Sequence, residues 1–85
     1  MEKTMPVKVF KVGAISASIW VNKIQKDGKE FAYSTISLER NYKDREGQWK
    51  KTNSMRLNDI PKATLILNKS YEYLAMEHPE LAQMA

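Results

Sequence analysis

Residues 14–56 alternate in polarity with a period of two, and that pattern commits this part of the chain to a sheet. Ile15, Ala17, Ile19 and Val21 point one way, and Ser16, Ser18, Trp20 and Asn22 point the other. In the next segment Ala32, Ser34, Ile36 and Leu38 share a face, opposite Phe31, Tyr33, Thr35 and Ser37. In the third, Trp49, Asn53, Met55 and Leu57 oppose Lys50, Thr52, Ser54 and Arg56. One face is aliphatic. The other mixes small hydroxyls, large rings and cations, where an ordinary solvated face would carry Lys, Glu and Thr.

Turn residues predict where the strands stop. Residues 7–12 form a short strand after Pro6, and Gly13 marks a bulge, bend or tight turn. Residues 14–24 are the strongest strand. Residues 25–29 connect a hairpin, with Asp27-Gly28 supplying the positive φ it needs. Strands over 30–42 and 48–57 follow, separated by a turn over 43–47. The period then becomes 3.6. Asn58 and Asp59 can accept bonds from free helix N–H groups, and Pro61 is tolerated in a first turn. Ile60, Ala63, Leu67, Tyr71 and Leu74 line one side of this helix, with Ile66 and Tyr73 widening the stripe. Leu65 and Met76 fall nearly opposite and suggest a further contact, with another subunit as the candidate. Pro79 ends the helix, and residues 80–85 are expected to be a loose tail or one extra turn.

The predicted fold class is α+β: a four-stranded curved antiparallel β-meander followed by one C-terminal α-helix. Residues 1–85 make a single domain with its core over about 7–78. The helix should cover Ile15, Ile19, Val21, Ile36, Leu38, Met55 and Leu57. No element is left for the face carrying Trp20, Phe31 and Tyr33. A sheet-rich fold this small often gains stability by dimerising, so a homodimer is expected. The chain has no cysteine, which removes disulfides and thiolate metal sites. No stretch approaches the ~20 apolar residues of a membrane span. Residues 1–6 show no signal-peptide pattern, so a cytoplasmic or nucleoid location is expected.

Charge is unevenly placed. Residues 7–58 hold eleven Lys and Arg against five Asp and Glu, a net of +6, whereas residues 59–85 carry −2. Such asymmetry suits a polyanion partner, although ordinary solubility charge is the bland reading. Catalysis finds little support, and neither a metal nor a cofactor is expected. His78, the only histidine, sits before Pro79 at a helix end, where a cap or a favourable cation is the usual explanation. Glu77 and Glu80 beside it make a weak constellation. Ser16, Ser18 and Ser37 have no histidine on the sheet to activate them, and three scattered glycines make no phosphate loop.

Rings plus cations on an open sheet are what single-stranded nucleic acid requires: stacking platforms for bases and counter-charges for phosphates. Phe31 and Tyr33 are the stronger stacking candidates. Trp20 can stack a base or pack against a neighbouring strand or subunit. Trp49 starts its strand on the aliphatic side, and a core-edge or hairpin-packing role is favoured there. Lys50 and Arg56, on the open face, and Lys51, at the hairpin end, are candidate phosphate contacts; the bland reading is a charged edge that prevents aggregation. Lys23, Lys26 and Lys29 are flexible hairpin cations that steer or grip backbone.

Over roughly residues 8–76 the chain resembles the positive cofactor four family of single-stranded-DNA-binding transcriptional coactivators. The resemblance rests on Phe10-Lys11-Val12-Gly13 opening the domain. It rests also on the run from Leu38 through Glu39-Arg40-Asn41-Tyr42-Lys43 to Asp44-Arg45-Glu46-Gly47, on the basic residues after it, and on Leu57-Asn58-Asp59 entering the helix. It implies a homodimer whose helices pack together, with Leu65, Met76 and Tyr73 as candidate contacts, and whose curved sheets offer a groove. Phe10, Lys11, Arg40 and Tyr42 would belong to the binding surface, lined by the basic strand over 50–56, and Lys43 beside them is a further candidate contact. Two departures stand out. Asn41-Tyr42 replaces the family's aromatic pair, and the first hairpin is longer and lysine-rich. The Ser/Lys-rich tail of eukaryotic members has no counterpart, which suggests a stand-alone microbial or viral version.

Strict alternation places Arg40 and Tyr42 on the aliphatic side. Either a bulge near Glu39 shifts the register or these two sit at a rim beyond the helix. Three rivals use the same residues: an RNA chaperone, a duplex-DNA architectural protein, and a protein-interaction module with an exposed aromatic face.

Overall fold

The computed structural model describes residues 5–79. Four strands, β1 (Lys8–Val12), β2 (Ile15–Lys26), β3 (Lys29–Lys43) and β4 (Trp49–Thr52), form one antiparallel sheet in the order β1-β2-β3-β4. A 3-10 turn, Leu57–Asp59, leads into helix α1 (Ile60–Glu72), which closes in a single π-helical turn, Tyr73–Glu77. The four-strand meander and single C-terminal helix are as the sequence predicts. The expected tail, residues 80–85, lies outside the described residues.

The β2–β3 hairpin is tighter than expected. Lys26 pairs directly with Lys29, so the connection is two residues, Asp27 and Gly28, with φ of 53° and 75°. Positive φ at both central positions is the turn whose twist matches that of the strands, and Asp-Gly supplies it at low cost. The hairpin therefore zips twelve pairs from Ile15↔Arg40 to Lys26↔Lys29 without a bulge. This resolves the question at Glu39: alternation continues, and Arg40 and Tyr42 lie on the helix side at the sheet's rim.

One helix covers part of one face. Ile15, Ala17 and Ile19 from β2 are fully buried, with Ala63, Ile66 and Leu74 of the helical segment. Phe10, Val12, Leu38 and Met55 pack around the centre of this cluster. Small side chains mark the contact line: Ala17 and Ala63 share the buried cluster, and Ser70 is fully buried with its hydroxyl donating to the Ile66 carbonyl at 2.8 Å. This contact line corrects the expected stripe. Ile60, Leu67 and Tyr71 remain exposed on the helix flank, because the axis sits over the small residues. Val21, expected in the core, is half-buried, and Ile36 and Leu57 are exposed. The helix ends its reach near Ile19, and the outer half of the β2–β3 hairpin runs past it as an uncovered arm. The described chain is flat, 50 × 32 × 16 Å.

The fourth strand differs most from expectation. It covers only Trp49–Thr52, and residues 53–56 leave the sheet to reach the helix. Met55 joins the core from this irregular segment, so counting back from it by twos misassigns the strand's faces. The register Lys43↔Trp49 and Tyr42↔Lys50 puts Trp49 and Lys51 on the open face and Lys50 and Thr52 on the helix side. The helix start is tied to β3 by Arg40. Its Nε donates to the Ser54 carbonyl at 3.1 Å and lies 3.3 Å from Asp59 Oδ2. The same carboxylate oxygen accepts the Arg56 backbone N–H at 2.8 Å, satisfying a donor at the helix entry.

Ile19 and Ile36 are direct cross-strand partners, yet Ile19 is fully buried and Ile36 is 39% exposed. Ile19→Ala should destabilise the protein by ~2–5 kcal/mol in urea unfolding and Ile36→Ala by about 1 kcal/mol or less. Equal losses at the two positions would mean that something covers the hairpin arm in solution.

Candidate nucleic-acid interface

Cross-strand partners share a face, so the register fixes the composition of each side of the sheet. The open face carries Trp20, Phe31, Tyr33 and Trp49 among the hydroxyls of Ser16, Ser18, Thr35 and Ser37. Asn22 and Thr35 bond across the strands there, with Nδ2 to Oγ1 at 3.3 Å. The face also presents Lys11, Lys26, Lys29, Lys43 and Lys51, against one acid, Glu39.

Ion pairing divides along the same line. Lys23–Glu30 at 3.9 Å, Arg40–Asp59 at 3.3 Å and Lys50–Asp44 at 3.3 Å all neutralise cations of the helix side. On the open face Lys51–Glu39, at 3.9 Å, is the single pair among the described residues. Lys11, Lys26, Lys29 and Lys43 have no acidic partner there. Lys26 and Lys29 stand directly opposite each other at the hairpin tip. Like charges facing across a ladder destabilise it, and an anion between them relieves the repulsion.

The structure sorts the sequence-predicted residues into two groups. Lys11, Trp20, Lys26, Lys29, Phe31, Tyr33, Lys43 and Lys51 come together on the open face. Phe10, Lys23, Arg40, Tyr42 and Lys50 have helix-side parity. Phe10 packs edge-on against Tyr73, centroids 6.0 Å apart, and belongs to the core rim. The Arg40 guanidinium lies 5.7 Å from the Tyr42 ring centre, and its contacts to Ser54 and Asp59 make it a strut for the helix. Arg56, expected on a strand, lies beyond β4 at the helix entry. Tyr73, offered as a dimer contact, packs within its own chain against Phe10 and His78, whereas Leu65 and Met76 are exposed.

Sequence reasoning reversed the faces of Lys50 and, most consequentially, of Trp49. Trp49 is 70% exposed, and the Lys43 ammonium lies over its ring, 5.6 Å from the centroid. Lys11, Gly13, Ala14, Asn41 and Trp49 together line a cleft of about 470 Å³. These residues come from both edge strands, from β3 and from the β1–β2 turn, so the open face is concave at this end. No signal within the four residues of β4 sets its parity; the pairing with β3 does.

That turn is built by Asp44. Its Oδ1 accepts the backbone N–H groups of Gln48 at 2.8 Å and Glu46 at 2.9 Å, and Oδ2 lies 3.3 Å from Lys50 Nζ. Gly47 follows at a φ of 82°, closed to Asp44 by its N–H at 3.1 Å. The Gln48 amide, with Lys50 and the other turn amides, holds the Asp44 carboxyl below the ordinary value of 3.8 despite partial burial.

Among the described residues no group of three His, Cys, Asp or Glu is placed to hold a metal ion. No helix among the described residues is long and apolar enough to cross a membrane. The fold and site define a four-strand, one-helix protein with one covered and one bare, basic, aromatic sheet face. Comparison with known protein families, with curated proteins and with solved structures finds no match for the chain.

Because the folded carboxyl of Asp44 has the lower pKa, its bonds strengthen the turn above the ordinary carboxyl value and are lost as pH falls through the folded one. In an NMR titration the Asp44 carboxyl should titrate with a midpoint below 3.8, with the Gln48 amide moving in step. A midpoint at or above 3.8 would contradict this account of the turn.

Proposed function

We propose that this protein binds single-stranded nucleic acid, with little sequence preference, on the bare face of its sheet. The observation that carries the reading is the division of charge. Of the helix-side strand cations, Lys23, Arg40 and Lys50 are paired with acids and Lys8 lies over the Phe10 ring, whereas four of the five open-face lysines have no acidic partner among the described residues and stand beside four aromatic side chains. Phosphates would be neutralised by Lys11, Lys26, Lys29, Lys43 and Lys51. Bases would stack on Trp20, Phe31, Tyr33 and Trp49, where a base contact is worth ~1–3 kcal/mol and any base will serve. Small hydroxyls between the rings leave room for the strand and offer adaptable hydrogen bonds. The resemblance to the positive cofactor four coactivators favours DNA over RNA, although Phe10, Arg40 and Tyr42, which it assigns to the binding surface, have helix-side parity. Roles in transcription, replication or repair fit this chemistry.

The reading includes a homodimer, supported by how little of the chain's apolar surface is buried. Among the described residues six hydrophobic ones are buried, while Ile60, Leu65, Leu67, Tyr71 and Met76 on the helical segment, and Ile36 on the uncovered arm, are exposed. Exposed apolar surface on this scale marks an interaction site. A second copy laid against the helix side would cover it and leave both open faces accessible. Light scattering at micromolar concentration should give twice the 9.9 kDa protomer mass, and a value near 9.9 kDa removes the dimer.

Fluorescence anisotropy with labelled oligo-dT and a matched duplex, over a salt series, tests the binding reading. Tight, salt-sensitive binding to oligo-dT with weak duplex binding is expected. The two faces are separated by neighbouring residues. Lys51→Ala should weaken binding and make the log–log salt slope shallower by about 1, while Lys50→Ala should leave both nearly unchanged. Equal effects would place the strand across the β4 edge and not on the open face. Preference for duplex would favour an architectural role, and no binding at low salt would leave the protein-interaction module.

A further inference from the structure

We infer that the cleft between Trp49, Asn41 and Lys11 is a discrete pocket for one unpaired nucleotide, distinct from the sequence-tolerant stacking surface on the rest of the face. The inference rests on the proposed single-strand binding and says where the strand is gripped most firmly.

Three features set this end of the face apart. The first is shape. A cleft of about 470 Å³ falls in the range of small-ligand pockets, ~300–1,000 Å³. A base on a flat sheet meets only the ring beneath it, whereas a base in this open cleft also meets the wall formed by Gly13 and Ala14. Neither of these two projects a bulky side chain into the path of a sugar.

The second feature is the set of groups available. Trp49 is 70% exposed, the most accessible of the open-face rings, whereas Trp20 is half-buried. The Lys43 ammonium now lies over the indole, 5.6 Å from its centre, in the volume a stacked base would take. A nucleotide supplies both a base to replace that cation on the ring and a phosphate to receive it. Lys11 lines the opposite side and can hold the second phosphate oxygen or the neighbouring phosphate.

The third feature is Asn41. Its backbone N–H is used, donating to the Ala14 carbonyl at 2.8 Å, which fixes the residue against the β1–β2 turn. Its side chain is half-buried on the cleft wall and makes no hydrogen bond to another described residue. A carboxamide offers one donor edge and one acceptor edge side by side. The polar edges of unpaired bases present the same adjacent pair, which is how side-chain amides read bases in single strands. Asn41 thus gives the pocket a carboxamide with both edges uncommitted, whereas that of Asn22 on the flat part of the face already donates to Thr35.

The test uses single-tryptophan proteins: Trp20→Phe, which reports Trp49, and Trp49→Phe, which reports Trp20. Each is titrated with the tetranucleotides dT4 and U4, too short to cover the face, and with dT20. Quenching of Trp49 by a tetranucleotide, with Trp20 silent until dT20 is used, supports the pocket, and the tighter of dT4 and U4 identifies the sugar it prefers. Asn41→Ala should lower tetranucleotide affinity about fivefold, and Trp49→Ala about tenfold, measured by anisotropy. Replacing one central nucleotide of dT4 by an abasic spacer should not be felt by Trp49→Ala. If dT20 binds but Trp49 is not quenched, or both tryptophans respond together to the tetranucleotide, the pocket is overturned while the single-strand reading stands. If dT20 fails to bind at low salt, both fall. Circular dichroism checks the fold of each variant; the three substituted side chains, Trp20, Asn41 and Trp49, lie outside the core.

Discussion

A single helix can bury only one face of a four-stranded sheet, and every other property of this molecule follows from that constraint. The helix spends its contact on β2, with Ile15, Ala17 and Ile19 against Ala63, Ile66 and Leu74. Small residues at the contact, Ala17, Ala63 and Ser70, bring the helix close to the sheet. They also narrow the surface it can cover. The outer hairpin arm and the whole opposite face are left to solvent or to partners, and a two-layer chain 16 Å thick has no third layer to offer.

Electrostatics then distinguishes the two exposed regions. On the helix side, acids at the helix entry, at the 44–48 turn and on the hairpin arm pair with Arg40, Lys50 and Lys23. These contacts have structural work: Arg40 holds Asp59 and the Ser54 carbonyl, and so ties the connection after β4 to β3. The open face keeps its lysines largely uncompensated and even sets Lys26 against Lys29. The proposed single-stranded partner would supply the missing anionic charge there, and its bases would meet the rings that stand between those lysines.

Trp49 joins these two themes. Its position depends on the Asp44 turn, whose carboxylate gathers the Gln48 and Glu46 amides and faces Lys50. The turn sets the register Lys43↔Trp49, and the register puts an indole and an ammonium together on the open face. A polar turn on the helix side thereby positions an aromatic platform on the other.

The sequence by itself determined the element order, the antiparallel pairing of β2 with β3, and the faces of those two long strands. Period-two alternation over a dozen residues, closed by an Asp-Gly turn, leaves one register that buries Ile15, Ala17 and Ile19 together. It also determined that a helix starts near Asp59 and that Trp20, Phe31 and Tyr33 face away from it. Tertiary structure decided what short or amphipathic segments leave undetermined. Four residues of β4 hold too little pattern to set their own parity, so Trp49 and Lys50 were resolved only by pairing with β3. The helix has apolar residues around most of its circumference, and only its docking chose Ala63, Ile66 and Leu74 over Ile60, Leu67 and Tyr71. Arg40 and Tyr42 share a face with the aliphatics, but whether that makes them core, rim or surface depended on where the helix entry crossed. The cleft beside Trp49 was invisible for the same reason. It joins residues of both edge strands through the curvature of a sheet, and curvature is a property of the packed whole.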